Sequence, residues 1–373
     1  MIDATDRVII STLNGNAERG GWECSGTVLL DTSLLERWSL VEIWLHPALN
    51  APPGPPTRAF KGYVYRYSAD VDATRSAVSF DAATSHAILE RGWLQGIGFV
   101  DVEHQGRQRA HYHQFDARDR MTLGKIIRHI LGYYDEVGQP PSTNPDWVAH
   151  TNLVHHPIEN PGGWITLDFV ETAGSAEVSR YIVRESTNLW RTLRDIAGNE
   201  FYTLYFDRHD RLHYHPHPVF YGTPPTPSLE LTERMHVGDL SVEIRESRVR
   251  QVLLHAVTDA ETTLHASYPT SPTHVYGEVE ERTGIRCNSQ SLLNTFAQRL
   301  YRWVNRPYTL TWRAPGPLGA FVEIGEPVYV TWSGVTRGVH WDFDRTVAWI
   351  SDVRVEFAEG NTSTTTLTLE VVA

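Results

Sequence analysis

Short runs of alternating apolar and polar residues fill the first hundred positions of this chain. They cover residues 7–10, 22–30, 39–45, 60–67 and 76–82. Gly, Pro, Asn and Asp separate the runs, as tight turns require, and the proline-rich segment 51–56 cannot join a hydrogen-bonded ladder. Strands this short, with little helix between them, predict a β-barrel or a β-sandwich.

Apolar residues change to helical spacing in the middle of the chain. Segment 121–134 predicts a helix with Thr122 as its N-cap, and prolines at 140–145 predict a linker after it. Segment 187–199 predicts a second helix, capped by Thr187 or Asn188. Two strands joined by a turn at 207–210 follow, so the middle reads as a helix and a β-hairpin.

Strand patterns return from about residue 238 and continue to the end. They cover 240–245, 249–257, 308–313, 327–332, 349–357 and 364–371, and a third helix is predicted over 289–304. The fold class predicted is mainly β with an α+β middle. In it, two antiparallel β-barrel domains flank a helix-containing α+β domain and combine with it.

Charge and composition exclude several classes of function. The formal net charge is −12 and no cluster of Lys and Arg is present, so the chain is not a general nucleic-acid binder. Acidity instead suits a surface that DNA slides past without adhering. No apolar run approaches the roughly 20 residues of a membrane helix, and the first residues do not resemble a secretory signal. We therefore expect no membrane segment, and assembly in the cytoplasm.

Histidine clusters are the most prominent candidate for chemistry. They occur at His111 and His113, at His155 and His156, and at His213, His215 and His217. Alternate residues of a strand share a face, so His213 and His215 point the same way. Two imidazoles need further ligands to hold zinc or iron, and neither a cysteine pair nor a matching carboxylate spacing completes the set. Cys24 and Cys287 read as two small buried residues. The interpretation favoured is exposed strand histidines with no metal site.

Enzymatic signatures are weak. Glu278, Glu280 and Glu281 read as a solvated face, and Gly124 and Lys125 lack the rest of a phosphate-binding loop. The sequence has no Gly-x-Ser-x-Gly elbow. We predict a non-enzyme with no catalytic residues and no cofactor. Tryptophan beside Asp or Asn, at 341–344 and 144–147, leaves glycan binding open, although packing of each aromatic on its own domain is favoured.

Three stretches resemble the hub proteins of phage and phage-like tails. Residues 60–64 and 78–82 resemble the first-barrel pattern, and 188–197 with 205–212 resemble the helix and hairpin of the middle domain. Residues 325–330, 350–355 and 366–370 resemble the second barrel. The family includes the baseplate hub of contractile tails, the matching part of type VI secretion spikes and late control protein D-like proteins.

The resemblance implies a structural role. In this family, two barrels from each of three subunits form a pseudo-sixfold ring that adapts a sixfold tail tube to a threefold spike or fibre. It implies a first barrel at 1–115, a middle domain at 116–234, and a second barrel at 235–373 with a helical insertion near 265–305. It also implies a homotrimer in the tail of a virion or injection particle. Partners would be the tail tube or distal tail ring protein on one side and a spike, tip or fibre protein on the other, with DNA or an effector passing through.

Four tryptophans in the last strands bear on the ring. Trp312, Trp332, Trp341 and Trp349 are more large rings than one small barrel interior readily holds. Core packing is the favoured reading for any single one, but some are expected at subunit contacts. The alternative function is a tail-tip subunit that binds a glycan receptor or degrades the cell wall.

Overall fold

The computed structural model describes most of the chain and shows a mainly β protein. The described residues are 8–29, 39–45, 55–71, 76–92, 112–131, 166–170, 177–184, 188–217, 219–220, 226–238, 240–244, 249–272, 277–336, 339–358 and 362–371. Their strands and few helices confirm the predicted fold class, mainly β with an α+β middle.

The N-terminal third is made of strands. They are β1 (Val8–Asn16), β2 (Gly21–Leu29), β3 (Leu40–Leu45), β4 (Thr57–Val71) and β5 (Ser76–Ala83), followed by the one-turn helix α1 (His86–Leu89). From Trp22 to Leu29 of β2 the even-numbered residues are buried and the odd-numbered ones are more exposed, which is the alternation of a strand with one face on a core.

The described residues in the middle of the chain form two helices and several strands. These elements are β6 (Tyr112–Thr122), α2 (Leu123–Ile130), β7 (Thr166–Phe169), β8 (Glu177–Arg184), α3 (Leu189–Gly198), β9 (Tyr202–Phe206) and β10 (Arg211–Pro216). The side chain of Asn188 accepts a hydrogen bond from the backbone N–H of Arg191, which makes Asn188 the N-cap of α3 as predicted.

The C-terminal part returns to strands around one long helix. Its elements are β11 (Glu230–Thr232), β12 (Ser241–Ile244), β13 (Val249–Val257), β14 (Thr263–Tyr268), β15 (Glu278–Arg286), α4 (Gln290–Val304), β16 (Tyr308–Pro315), β17 (Pro327–Thr336), β18 (Val339–Ala358) and β19 (Thr362–Val371). Ser289 caps α4 by accepting from the N–H of Leu292.

The two terminal sets of strands, predicted as separate barrels, share one eleven-stranded sheet in the described chain. Its order is β12-β16-β19-β18-β1-β2-β5-β4-β3, with β17 also paired to β18 and β11 paired to β17. The link is the antiparallel pairing of β1 with β18, which places Leu13 opposite Val355 and Gly15 opposite Val353. The start and the end of the chain are therefore hydrogen-bonded to each other.

Buried apolar side chains of the described residues form three clusters. The first draws on both terminal strand sets and includes Trp22, Phe60 and Trp312. The second lies between α2, α3 and the β9–β10 hairpin. The third lies between α4 and the separate sheet β14-β13-β15. The domain boundaries at 115 and 234 stay a prediction.

Several short elements were not predicted. Strands β7, β14 and β15 escaped because they are brief or mostly solvent-exposed, so they carry little apolar alternation. The three glutamates at 278, 280 and 281 lie on β15, which pairs in parallel with β13. The predicted linker at 140–145 and most of the proline-rich segment 51–56 fall outside the described residues.

Gly15 tests the shared core. A Cβ atom on Gly15 would lie 2.7 Å from the ring of Trp22, which is fully buried. We expect Gly15→Ala to lower the free energy of unfolding by about 1–3 kcal/mol, as overpacking does, in urea denaturation followed by tryptophan fluorescence. Gly198→Ala is the control, because nothing lies within 4 Å of its added atom, and it should be neutral or slightly stabilising. Equal effects of the two changes would contradict the packing described.

Candidate functional site: the β9–β10 turn and its neighbours

The turn between β9 and β10, residues 207–210, reaches from the middle domain into the shared sheet. The carbonyl of Arg208 accepts a hydrogen bond from the N–H of Lys61 on β4, at 2.8 Å. The Arg208 guanidinium donates to the carbonyl of Val322, at 2.9 Å. The backbone N–H of Arg208 donates to the Glu323 carboxylate, at 3.1 Å. One turn therefore contacts both terminal strand sets.

Glu323 also joins the turn to the core of the sheet. Its carboxylate accepts a 2.5 Å hydrogen bond from the indole N–H of Trp22. Burial, reinforced by the negative charge of Asp207, raises the pKa of Glu323 to about 8. At neutral pH this carboxyl group is therefore largely protonated within the junction.

Asp210 fixes the other end of the turn. It is 1% exposed and accepts hydrogen bonds from the backbone N–H of Ser85, at 2.6 Å, and from the Ser85 hydroxyl, at 2.8 Å. Burial raises the pKa of Asp210 to about 7, although the two bonds from Ser85 oppose this. Its backbone has a φ of 63°, a left-handed conformation that Asp and Asn tolerate best after Gly.

A cluster of histidine and aspartate lies beside the turn. β7 pairs in parallel with β10, so Asp168 lies opposite His213, and His215 is on the same face of β10. The His213 Nδ1 atom lies 3.0 Å from an Asp168 carboxylate oxygen, and that oxygen lies 3.4 Å from His215 Nε2. Tyr205 stacks on the His213 ring, with centroids 4.9 Å apart.

Asp207 lies on the far side of His213, with its carboxylate 3.0 Å from His213 Nε2. Burial alone would raise the pKa of Asp207, but hydrogen bonds from His213 and Arg211 outweigh it and lower that pKa to about 2. Asp207 is therefore ionised and accepts hydrogen bonds from its neighbours. Burial and the adjacent His213 ring also lower the pKa of His215, which favours its neutral form.

The prediction that these histidines are exposed is wrong for His213, which is 7% exposed. The sequence placed His213 and His215 together but missed Asp168 and Asp207. Asp168 lies on the unpredicted strand β7, so no spacing in the sequence pointed to it. His217 packs separately, against Phe220 and Trp303. Of the other predicted clusters, His113 lies on β6, while His111, His155 and His156 are outside the described residues.

The tryptophans of the last strands mostly serve the core. Trp312 is fully buried in the first cluster, and Trp332 and Trp341 are partly buried against that cluster. Trp349 is 5% exposed. The ring of Trp341 lies parallel to that of Phe343, with centroids 6.1 Å apart. Trp341 is thus packed on its own domain, the reading favoured over a sugar platform. The other candidate, at 144–147, lies outside the described residues.

A cleft of about 1240 Å³ lies between the three cores, lined in part by α3, β9 and β10. Its charged groups are of both signs and include Arg194 and Glu90. The Arg194 guanidinium donates to the carbonyl of Ala17, at 3.0 Å, and the Trp190 indole donates to the carbonyl of Arg19, at 2.7 Å. These side chains hold the β1–β2 turn against α3, which is a structural use of the cleft.

None of the helices in the described part of the chain is long and apolar enough to cross a bilayer.

Solved structures with the same fold include phage tail proteins. A tail protein from Neisseria meningitidis MC58 has a TM-score of 0.56 and 11% identity, with 98% of this chain and 96% of that chain covered. The 43 kDa tail protein of prophage MuSo2 from Shewanella oneidensis has a TM-score of 0.57 and 9% identity, with 97% and 96% covered.

A third similar structure comes from a secretion system. It is an Escherichia coli component of the type VI secretion system, described as structurally similar to the T4 bacteriophage tail proteins gp27 and gp5. Its TM-score is 0.53 at 10% identity, with 98% of this chain and 74% of that chain covered. No family model and no curated protein matches the sequence. The predicted resemblance to tail hub proteins is confirmed at the level of the fold.

Asp210 allows a test of the junction by pH. Unfolded Asp titrates near 3.8 and folded Asp210 near 7, so the unfolded state loses its proton first as the pH rises. The stability contributed by protonated Asp210 is therefore complete below about pH 4, is lost progressively up to about pH 7, and is level above it. In Asp210→Asn, the amide oxygen still accepts from the Ser85 backbone N–H, the amide N–H donates to the Ser85 hydroxyl oxygen, and the side chain does not titrate.

We expect the unfolding free energy of the unmodified chain, relative to that of Asp210→Asn, to fall by roughly 2–4 kcal/mol across this window. Urea denaturation at several pH values measures it. Asp342→Asn, at an exposed position, is the control and should follow the unmodified chain. Parallel pH curves for the unmodified chain and Asp210→Asn would contradict a protonated Asp210 in the folded state.

Proposed function

We propose that this chain is a non-enzymatic hub subunit of a phage tail or a phage-like injection machine. Three copies form a pseudo-sixfold ring that joins the tail tube to the central tip, spike or fibre, and DNA or an effector passes through its lumen. The observation that carries the proposal is the likeness to two tail proteins, one of them from a prophage, over at least 96% of each chain compared. The fold extends from end to end, so the two strand sets and the middle domain correspond together.

The single sheet formed by both strand sets supports a ring. The β1–β18 ladder joins one strand set to the other inside one subunit. In a ring of three subunits, neighbouring subunits are joined by a similar contact between strands. Since each subunit has two strand sets, the ring contains six of them around one axis. A heterologous contact of this kind closes when its rotation is a whole fraction of a turn.

The two ends of the sheet provide the surfaces for that contact. Among the described residues, β3 pairs with β4 alone and β12 pairs with β16 alone, so each has an open edge. Open edges are templates for strand pairing with another chain. Both strands also expose large apolar side chains, with Leu40 at 49%, Trp44 at 48% and Ile244 at 63% exposed. We infer that β12 of one subunit meets β3 of the next.

The sheet face opposite the shared core suits a passage for DNA. Among the described residues, several cations exposed on the sheet are paired within the subunit. The pairs include Arg66 with Asp81 at 2.5 Å and Arg354 with Glu356 at 2.6 Å. Together with the net charge of −12, this leaves few cations available to release counterions from phosphates.

Ile244 tests the ring contact. Burial of an exposed isoleucine contributes about 1.5–3 kcal/mol, so Ile244→Lys should weaken each subunit contact by roughly 10–100-fold. We expect the unmodified chain to be a trimer by native mass spectrometry and light scattering. The lysine variant should dissociate at concentrations where the unmodified trimer persists.

Val335→Lys is the matched control. Val335 is 64% exposed and lies on the β17–β18 hairpin rather than on β3 or β12. It introduces the same charge at the same exposure and should leave the trimer intact. A trimer unaffected by Ile244→Lys would refute the β12 contact, and a monomer at all concentrations would refute the ring.

DNA binding gives a second test. We expect no saturable binding of a fluorescein-labelled 20-base-pair duplex at physiological salt, measured by anisotropy, because the acidic chain gains little counterion release. A basic DNA-binding protein in the same buffer serves as the positive control. Tight binding at that salt concentration would contradict a lumen that lets DNA slide freely.

A further inference from the structure

The Asp168, His213 and His215 side chains bring three potential ligand atoms to one point. The Asp168 oxygen lies 3.0 Å from His213 Nδ1 and 3.4 Å from His215 Nε2, and the two nitrogens lie 3.4 Å apart. Zinc holds imidazole nitrogen and carboxylate oxygen at roughly 2.0–2.2 Å in a tetrahedron, which places neighbouring ligand atoms roughly 3.3–3.5 Å apart. The triangle therefore has nearly the size that a tetrahedral ion requires.

The hydrogen-bond partners of the two His213 ring nitrogens also favour a cation beside Nδ1. The Asp207 carboxylate accepts N–H bonds from His209 and Arg211, at 2.7–2.9 Å, so it is an acceptor toward His213 Nε2 as well. In neutral His213 the proton is then on Nε2, and the Nδ1 lone pair faces the Asp168 carboxylate at 3.0 Å. Two lone pairs at that distance repel each other unless a positive charge lies between them.

The residues that contact the His213 ring are also those expected around a metal site. A metal-bound histidine usually donates its other N–H to a carboxylate, which fixes its tautomer and orientation. Asp207 provides that carboxylate to His213, and the stacked Tyr205 ring holds the imidazole in place. Asp168 is 44% exposed, so an ion can enter from solvent.

We propose that Asp168, His213 and His215 bind one divalent first-row transition-metal ion, with zinc as the best fit. The ion links β7 to β10, and a water molecule or the backbone carbonyl of Asp168, 3.0 Å from His215 Nε2, completes its coordination. Two imidazoles and one carboxylate suit zinc and its neighbours rather than calcium or magnesium, which prefer oxygen ligands alone. The site is independent of the hub proposal, because it requires only this chain.

The competing explanation is a bare proton. A doubly protonated His213 would donate to Asp207 and Asp168 at once, and no metal would be needed. In this arrangement neutral His215 donates its Nε2–H to the Asp168 backbone carbonyl, at 3.0 Å, so both histidines have partners without an ion. The two explanations differ in whether zinc binds with a defined stoichiometry.

Zinc titration of the full-length chain distinguishes them. After treatment with a chelator and its removal, we expect calorimetry with zinc chloride at pH 7 to give one ion per chain. Bound zinc should also raise the thermal unfolding temperature in proportion to the logarithm of its free concentration. His215→Ala and Asp168→Asn should each weaken binding by more than the roughly 10–100-fold that loss of an outer-layer partner costs.

His265→Ala is the matched control. His255 and His265 form an exposed pair, with their Nδ1 atoms 2.8 Å apart, but the nearby Glu281 faces the other nitrogen of His255. That pair does not converge on one point, so His265→Ala should keep one zinc ion bound with unchanged affinity. Less than one ion per chain in the unmodified protein, or equal binding by His215→Ala, would overturn the proposal and leave the protonated His213.

Discussion

The antiparallel pairing of β1 with β18 is the contact on which the rest of the structure depends. It joins Thr12 to Glu356 and Asn16 to Asp352, residues near opposite ends of the chain. Because the two strand sets share a ladder, they also share one apolar core, in which Trp22 from one end packs with Trp312 and Val353 from the other. Gly15 is at this seam since only a residue without a Cβ leaves room for the Trp22 ring. Contacts of such sequence separation close slowly in folding, so the local helix and hairpin of the middle domain are expected to form before the seam.

Tyr205 on β9 packs against the first core, but polar groups provide the directional contacts between the middle domain and the sheet. The β9–β10 turn presents Arg208 and Asp210 to residues of the terminal strand sets, and both are held by hydrogen bonds. Desolvation of carboxyl groups is costly, which is why the pKa values of Asp210 and Glu323 are raised. Directional bonds define one orientation of the turn, whereas an apolar contact of similar area would tolerate several. The junction thus exchanges some stability for a defined relation between the hairpin and the sheet.

The sequence predicted those elements whose signal is local. The N-cap Asn188, the helix predicted over 289–304 and the alternation in β2 depend on residues a few positions apart, and the structure has them where the pattern indicated. The pairing of β1 with β18 is invisible to such patterns, since alternation shows that a strand has a buried face but not which strand lies beside it. Asp168 escaped for the same reason: its partner is 45 positions away across a parallel pair, and β7 is only four residues long. His213 seemed solvated because the sequence shows its neighbours along β10 but not the Tyr205 ring above it.

The carboxyl groups of Asp207 and Glu323 are occupied by hydrogen bonds within the chain, which distinguishes a structural junction from a catalytic one. A general acid or base needs an open direction in which to meet a substrate. Asp207 receives bonds from His209, Arg211 and His213, and Glu323 receives them from Trp22, Arg208 and Ile324, all within the chain. The Asp168 carboxylate is different, being 44% exposed and directed at two imidazole nitrogens. β7 itself has no fully buried residue, and only Leu167 and Phe169 pack against the second core. Because apolar contacts anchor β7 so weakly, a cross-link from Asp168 to β10 would stabilise it most. The metal ion is proposed at this carboxylate.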